Sequence, residues 1–156
     1  MYLLISVDRM ELSIAVQAFP HLKEAKNTML SELEDTTGYS IGELKTLSED
    51  EAHIDEDEAY VQTNAYGTVC WLIKDVRSPY VLISVDRNEL NIVVQTFSTK
   101  EEAYNTMVAE ITEDSGYSVD ELVALSNSGE AYISDDSAWI ESSSCGTIVW
   151  EIHAVK

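Results

Sequence analysis

The sequence predicts an α+β protein built by tandem duplication of a two-layer ββααββ unit, with an antiparallel sheet and helices on one face. Three observations lead there. A long stretch starting at Tyr2 recurs at Tyr80, short β-rich runs flank polar turns at both ends of each copy, and the residues between them follow helical spacing. The repeat sets the architecture. Tyr2-Leu3-Leu4-Ile5-Ser6-Val7-Asp8-Arg9-Met10-Glu11-Leu12 returns as Tyr80-Val81-Leu82-Ile83-Ser84-Val85-Asp86-Arg87-Asn88-Glu89-Leu90. At an offset of 78, 26 of 49 positions are identical; after a one-residue adjustment near Asp50 a further 9 of 23 are. Two copies read as tandem domains rather than as a solenoid, which needs three or more stacked units. The expected domains are residues 1–76 and 79–156, joined at Lys74 to Pro79.

Within a copy, Leu3 to Val7 and Leu12 to Phe19 surround a polar turn and predict a hairpin. Leu22, Ala25, Met29 and Leu33 then recur at i, i+3, i+7 and i+11, one face of a helix. In the second copy Ser98 and Glu101 are spaced as a capping box at that helix's start. Gly38 and Gly116 suit the left-handed position just past its end. Ser40 with Glu43, and Ser118 with Glu121, open a second short helix carrying Ile41, Leu44 and Leu47 inward. Ala59 to Gln62 and Thr68 to Ile73 close the unit as another hairpin.

Charge narrows the function. The 156 residues carry 29 Asp and Glu against 9 Lys and Arg, a net charge of −20. Residues 1–78 hold 15 acids and 6 bases, and residues 79–156 hold 14 and 3, so both copies share the excess. Direct binding to DNA, RNA or an anionic membrane is disfavoured, because cationic side chains supply that attraction. No apolar run approaches the ~20 residues of a membrane span. The start lacks a basic segment and reaches Asp8 too early for a signal peptide. Two cysteines, Cys70 and Cys145, make no disulfide framework. A cytoplasmic protein is expected.

Groups for catalysis are sparse. His21, His53 and His153 stand opposite Thr99, Tyr132 and Lys74, so no histidine recurs between copies. Cys70 exchanges with Val149, as a small core hydrophobe would, and Cys145 with Tyr66. No C-x-x-C, H-E-x-x-H, G-x-S-x-G or phosphate-cradling glycine loop is present. Asp55-Glu56-Asp57-Glu58 invites calcium, but an EF-hand loop begun at Asp55 would need Gly at Tyr60 and Glu at Tyr66. Tyr60, Trp71, Trp139 and Trp150 lack the interleaved cations of a single-strand nucleic-acid platform, and Trp71 and Trp150 read as core. The expectation is no enzyme, no cofactor and no metal, with a paired-carboxylate hydrolase as a distant alternative.

The acids themselves remain. Seven of the ten residues from 49 to 58 are acidic, so Glu49, Asp50, Glu51, Asp55, Glu56, Asp57 and Glu58 are expected to form the main contact with a basic partner. Glu113-Asp114 and Asp135-Asp136 are expected to add contacts from the other copy. Alternate strand residues lie ~6.6 Å apart on one face, and i, i+4 helix neighbours about 5–6 Å, spacings of the same order as those between phosphates. A small, compact, acidic chain lacking catalytic motifs resembles the nucleic-acid-mimic inhibitors of phages and mobile elements, such as anti-CRISPR and anti-restriction proteins. The resemblance lies in size and charge and in no motif. It implies an inhibitor that occupies the cationic nucleic-acid-binding surface of a defence nuclease or similar protein, so the partner is a basic protein and not nucleic acid itself. The alternative is a cytoplasmic interaction domain whose acidity only keeps it in solution.

Overall fold

The computed structural model describes residues 1–62, 67–89, 91–142 and 146–155. Cys145 and Tyr66, compared above, lie outside them. The chain divides into two units, Met1–Val76 and Arg77–Lys156. The first contains β1 (Tyr2–Asp8), β2 (Ser13–Phe19), α1 (Leu22–Thr37), α2 (Ile41–Leu44), β3 (Ala52–Ile54), β4 (Glu58–Gln62) and β5 (Thr68–Asp75). The second repeats the order with β6 (Tyr80–Asp86), β7 (Asn91–Phe97), α3 (Lys100–Ser115), α4 (Val119–Ser126), β8 (Ala131–Ile133), β9 (Ser137–Ser142) and β10 (Gly146–Ala154).

Each unit is an α+β fold with a five-stranded antiparallel sheet, ordered β2-β1-β5-β4-β3 in one and β7-β6-β10-β9-β8 in the other. Each also has one more strand than the sequence pattern predicts. β3 is three residues long and sits between two acidic stretches, so it offers no alternating run to read. Its pairings, Ala52 with Val61 and Ile54 with Ala59, place it at the sheet edge, where short strands limit stray pairing.

The strand period places the core. Leu4 on β1, Val61 on β4, and Trp71 and Ile73 on β5 face the helix layer and pack against Ala25, Met29 and Leu33 of α1 and Leu44 of α2. Leu82, Ile140, Trp150 and Ile152 meet Ala103, Met107, Ile111 and Leu122 in the same way. The i, i+4, i+8 spacing of the helix residues is what aligns them on one face. Leu3, Ile5 and Val7, one residue out of phase with Leu4, point to the opposite face and are buried too. Leu47, expected inward, falls past the end of α2 and is 39% exposed.

The helix ends follow local chemistry. Gly38 and Gly116 end α1 and α3 at φ 71°, a left-handed conformation that a side chain would strain. Ser40–Glu43 and Ser118–Glu121 form complete capping boxes. At α3 the box is one residue later than the sequence suggests. It joins Thr99 to Glu102, not Ser98 to Glu101, because Thr99 keeps extended dihedrals and the helix starts at Lys100. Glu102 reaches back to accept from the Ser98 and Thr99 amides at 3.1 and 3.2 Å. No helix among the described residues is long and apolar enough to cross a membrane.

Candidate functional site

Acidic side chains dominate the surface, and no charged residue among those described is buried. Full pairing of every Lys and Arg would still leave 20 acids without such a partner. The acids nonetheless do not form the single segment expected from the sequence. β3 divides residues 49–58 into a turn, Glu49-Asp50-Glu51, and a loop, Asp55-Glu56-Asp57, with Glu58 opening β4. At ~3.3 Å per strand residue, the two groups sit ~13 Å apart along that edge.

Both groups are held by the backbone. Tyr60 donates its hydroxyl to the Glu49 carbonyl, and the Gln62 amide donates to the Glu51 carbonyl at 2.9 Å. Glu51 itself caps the turn by accepting from the Ser48 amide at 3.2 Å and the Ser48 hydroxyl at 3.0 Å. In the loop, Asp55 N donates to the Glu58 carbonyl at 2.8 Å, and Ile73 N donates to the Asp57 carbonyl at 2.6 Å. The second bond ties the loop to β5. Its side chains therefore stand on a fixed frame, exposed to solvent.

A cation is already present there. Lys26 on α1 lies 3.6 Å from Glu56, whose side chain is 86% exposed. Around this pair run two shallow crevices of about 260 and 300 Å³. The first has Tyr2, Leu22 and Ile73 in its wall and Glu56, Asp57 and Asp75 beside them. The second runs from Met29 and Leu30 to Lys45 and Asp55. Nothing in the sequence marks Lys26 and Lys45 as neighbours of this loop, because α1, the end of α2 and the loop meet only in three dimensions.

The second unit keeps the frame and thins the charge. Its β8–β9 loop carries Asp135 and Asp136 where the first carries Glu56 and Asp57, and the Asp136 carbonyl accepts from Ile152 N at 2.7 Å. A crevice of about 200 Å³ recurs beside it, lined by Lys100, Glu101, Tyr104 and Asp135. Glu113 and Asp114 are elsewhere, in the last turn of α3. Glu101 and Glu113 are twelve residues apart, ~18 Å along the helix axis, so the two predicted groups of this unit do not merge.

Asp114 sits in a local excess of negative charge. Partial burial, followed by Glu110, Glu113 and Asp86, raises its pKa above the usual carboxylate value. The same helix end carries no base in its last turn, where the macrodipole favours one. Glu110 was legible as a helical neighbour of Glu113; Asp86 arrives from the end of β6 and was not.

Other reactive groups are dispersed. Cys70 is half-buried on the face opposite the helices, and burial pushes its thiol up to about 11, against the opposing influence of Arg9. His53 stacks on Tyr60 at 5.6 Å and lies 3.9 Å from Glu58, while His153 lies 2.9 Å from Glu151. Among the described residues, no three or more His, Cys, Asp or Glu side chains are grouped to hold a metal ion. Comparisons with protein-family models, with curated proteins and with solved structures find no match to this chain.

Proposed function

We propose that this chain is an acidic binding protein that occupies the cationic nucleic-acid-binding surface of another protein, a defence nuclease or similar DNA- or RNA-handling partner, in the cytoplasm. It acts by occupancy, not by catalysis. The observation that carries the reading is the acid surface: 29 acids against 9 bases, with none of the described ones buried. Such crowding destabilises a compact state through self-repulsion, and a net charge of ~−8 already suffices for solubility of a small domain. The excess calls for a use. Carboxylates standing on backbone-clamped loops and helices present a preorganised array of negative charge, which speeds encounter with a basic groove and lowers the ordering cost of binding.

The test is capture from a nuclease-treated lysate on the immobilised chain. Basic nucleic-acid-binding proteins should be retained, and added duplex DNA or RNA should release them. Retention of no such protein, or retention that nucleic acid leaves unchanged, overturns the reading and favours acidity that serves solubility alone.

A further inference from the structure

We infer that β2, and its repeat β7, take up an extended segment of another protein as a further antiparallel strand, with lysine or arginine at alternate positions. This surface is separate from the acid-rich loops, and the assignment does not rest on the function proposed above. Each strand lies at the edge of its sheet with one neighbour, β1 or β6. Arg9 N donates to the Thr68 carbonyl and Val76 N to the Met1 carbonyl, so odd-numbered residues of β1 bond towards β5 and even-numbered ones towards β2. In the β1–β2 register even residues stand opposite odd ones, so Ser13, Ala15, Gln17 and Phe19 spend their backbone groups on β1. The N–H and C=O groups of Ile14, Val16 and Ala18 therefore point outward, with no protein partner among the described residues. The bonds from Arg87 N to Thr147 and from Val155 N to Pro79 fix the same phase in the second unit and leave Ile92, Val94 and Thr96 outward.

Sheet edges are ordinarily guarded by charge, proline, a bulge or shortness. The opposite edges, β3 and β8, are three residues long. β2 and β7 have seven residues each and hold no Asp, Glu, Lys, Arg or Pro, in a chain whose residues are 24% charged. Their pairing runs one to one from end to end, without a bulge. These edges lack every guard, and they lack it in both units.

A row of backbone donors and acceptors at strand spacing is matched by an extended backbone. Side chains set its sequence. A residue opposite Val16 points, like Val16 and its partner Ile5, away from the helix layer. The residues on either side of it point towards α1, which presents Glu24, Thr28, Glu32 and Asp35 at i, i+4, i+8 and i+11. Gln17 donates to Glu32, which sets that stripe on the β2 side of α1, whereas Lys26 leans the other way to Glu56. Glu102, Thr106, Glu110 and Glu113 repeat the stripe on α3, with Gln95 bonded to Glu110. Neither stripe holds a base, so the incoming residues on the helix side are cationic, and those beside Ile14, Val16 and Ala18 are apolar. A second copy of this chain is the poorer occupant, because it would bring the same acids, and a net charge of −20, against their like.

The experiment titrates the full chain, labelled for amide NMR, with a peptide as long as β2 that alternates lysine and valine. The amides of Ile14, Val16 and Ala18 should shift and become protected from hydrogen exchange, as should those of Ile92, Val94 and Thr96. Valine is the residue that pairs with these positions, so N-methylation of the valine amides should weaken binding by about tenfold or more. N-methylation of the lysine amides, at identical charge, should cost far less, and a peptide with glutamate in place of lysine should not bind. Val16→Pro, whose missing N–H faces outward and not into the β1 ladder, should remove the response at β2 and leave that at β7. Should that variant fail to fold, the two methylated peptides decide alone. Equal binding by those two peptides, or shifts confined to the acid-rich loops, overturns the assignment. So does a dimer of this chain that Val16→Pro converts to a monomer, because the edge then serves a second copy.

Discussion

Trp71 donates its indole N–H to Glu32, Nε1 to Oε2 at 2.8 Å, across 39 residues of sequence. Trp150 and Glu110 repeat the bond at 2.9 Å, and in each unit a glutamine of the second strand, Gln17 or Gln95, donates to the other carboxylate oxygen. Trp71 is only 2% exposed, so its N–H has left bulk water and needs this acceptor. These two acids serve the fold. Glu32→Ala should lower stability by about 1–3 kcal/mol, the cost of an unsatisfied buried donor, while Glu32→Gln, which keeps an acceptor, should cost less. Urea midpoints of the two variants check this; equal losses would mean that charge, not the hydrogen bond, is what matters.

The two long helices differ at their first turn. Thr99 caps α3, whereas His21 occupies that place at α1 and makes no side-chain cap, although Glu24 already stands at the third helical position. His21→Thr should complete the box with Glu24 and raise stability by about 0.5–2 kcal/mol. The melting temperature should rise; no change would mean that water satisfies the α1 amides equally well.

Asp114 gives a pH signature. Its pKa is raised by burial and by Glu110, Glu113 and Asp86, so the folded chain holds that proton more tightly than the unfolded chain does. The stability linked to it is fully present below the unfolded value, about 3.9, and is lost as pH rises through the higher folded value. Asp114→Asn should therefore stabilise the protein at pH 7 and bring no gain near pH 3. Glu43 and Glu121 have the opposite sign: backbone and side-chain hydrogen bonds from Ser40 and Ser118 lower their pKa values, so their contribution is lost as pH falls. Urea midpoints for Asp114→Asn against pH separate the two; a gain that persists at pH 3 would place its cause outside this titration.

Salt should stabilise the fold. With a net charge of −20, the dominant long-range term among surface groups is repulsion, and raising salt from ~20 to 500 mM shortens its range to a few ångströms. The melting temperature should climb over that interval. A flat response would show that the acids are spaced or paired well enough to feel little of one another.

Much of each unit was legible because its signals are local. The opening hairpin of each copy, the Ala25-Met29-Leu33 stripe, the glycines 38 and 116 and the Ser40 and Ser118 boxes each act within one helix or one strand pair. What escaped depends on distant partners or on a choice between adjacent candidates. β3 is defined by its pairing with β4, not by any pattern in Ala52-His53-Ile54. Ser98 and Thr99 are both competent caps, and only the backbone dihedrals separate them. The density of acids from 49 to 58 was plain, but their division by β3 and the approach of Lys26 to Glu56 come from the fold. The Trp71–Glu32 bond has no signature in sequence at all.

The proposed function requires that this acidic surface and nucleic acid compete for one site on a partner. The most direct measurement follows fluorescent duplex DNA bound to a captured basic protein while this chain is added. Complete displacement is expected, with the concentration of this chain required rising in proportion to the DNA present. A ternary complex, in which partner, DNA and this chain are bound together, would contradict it.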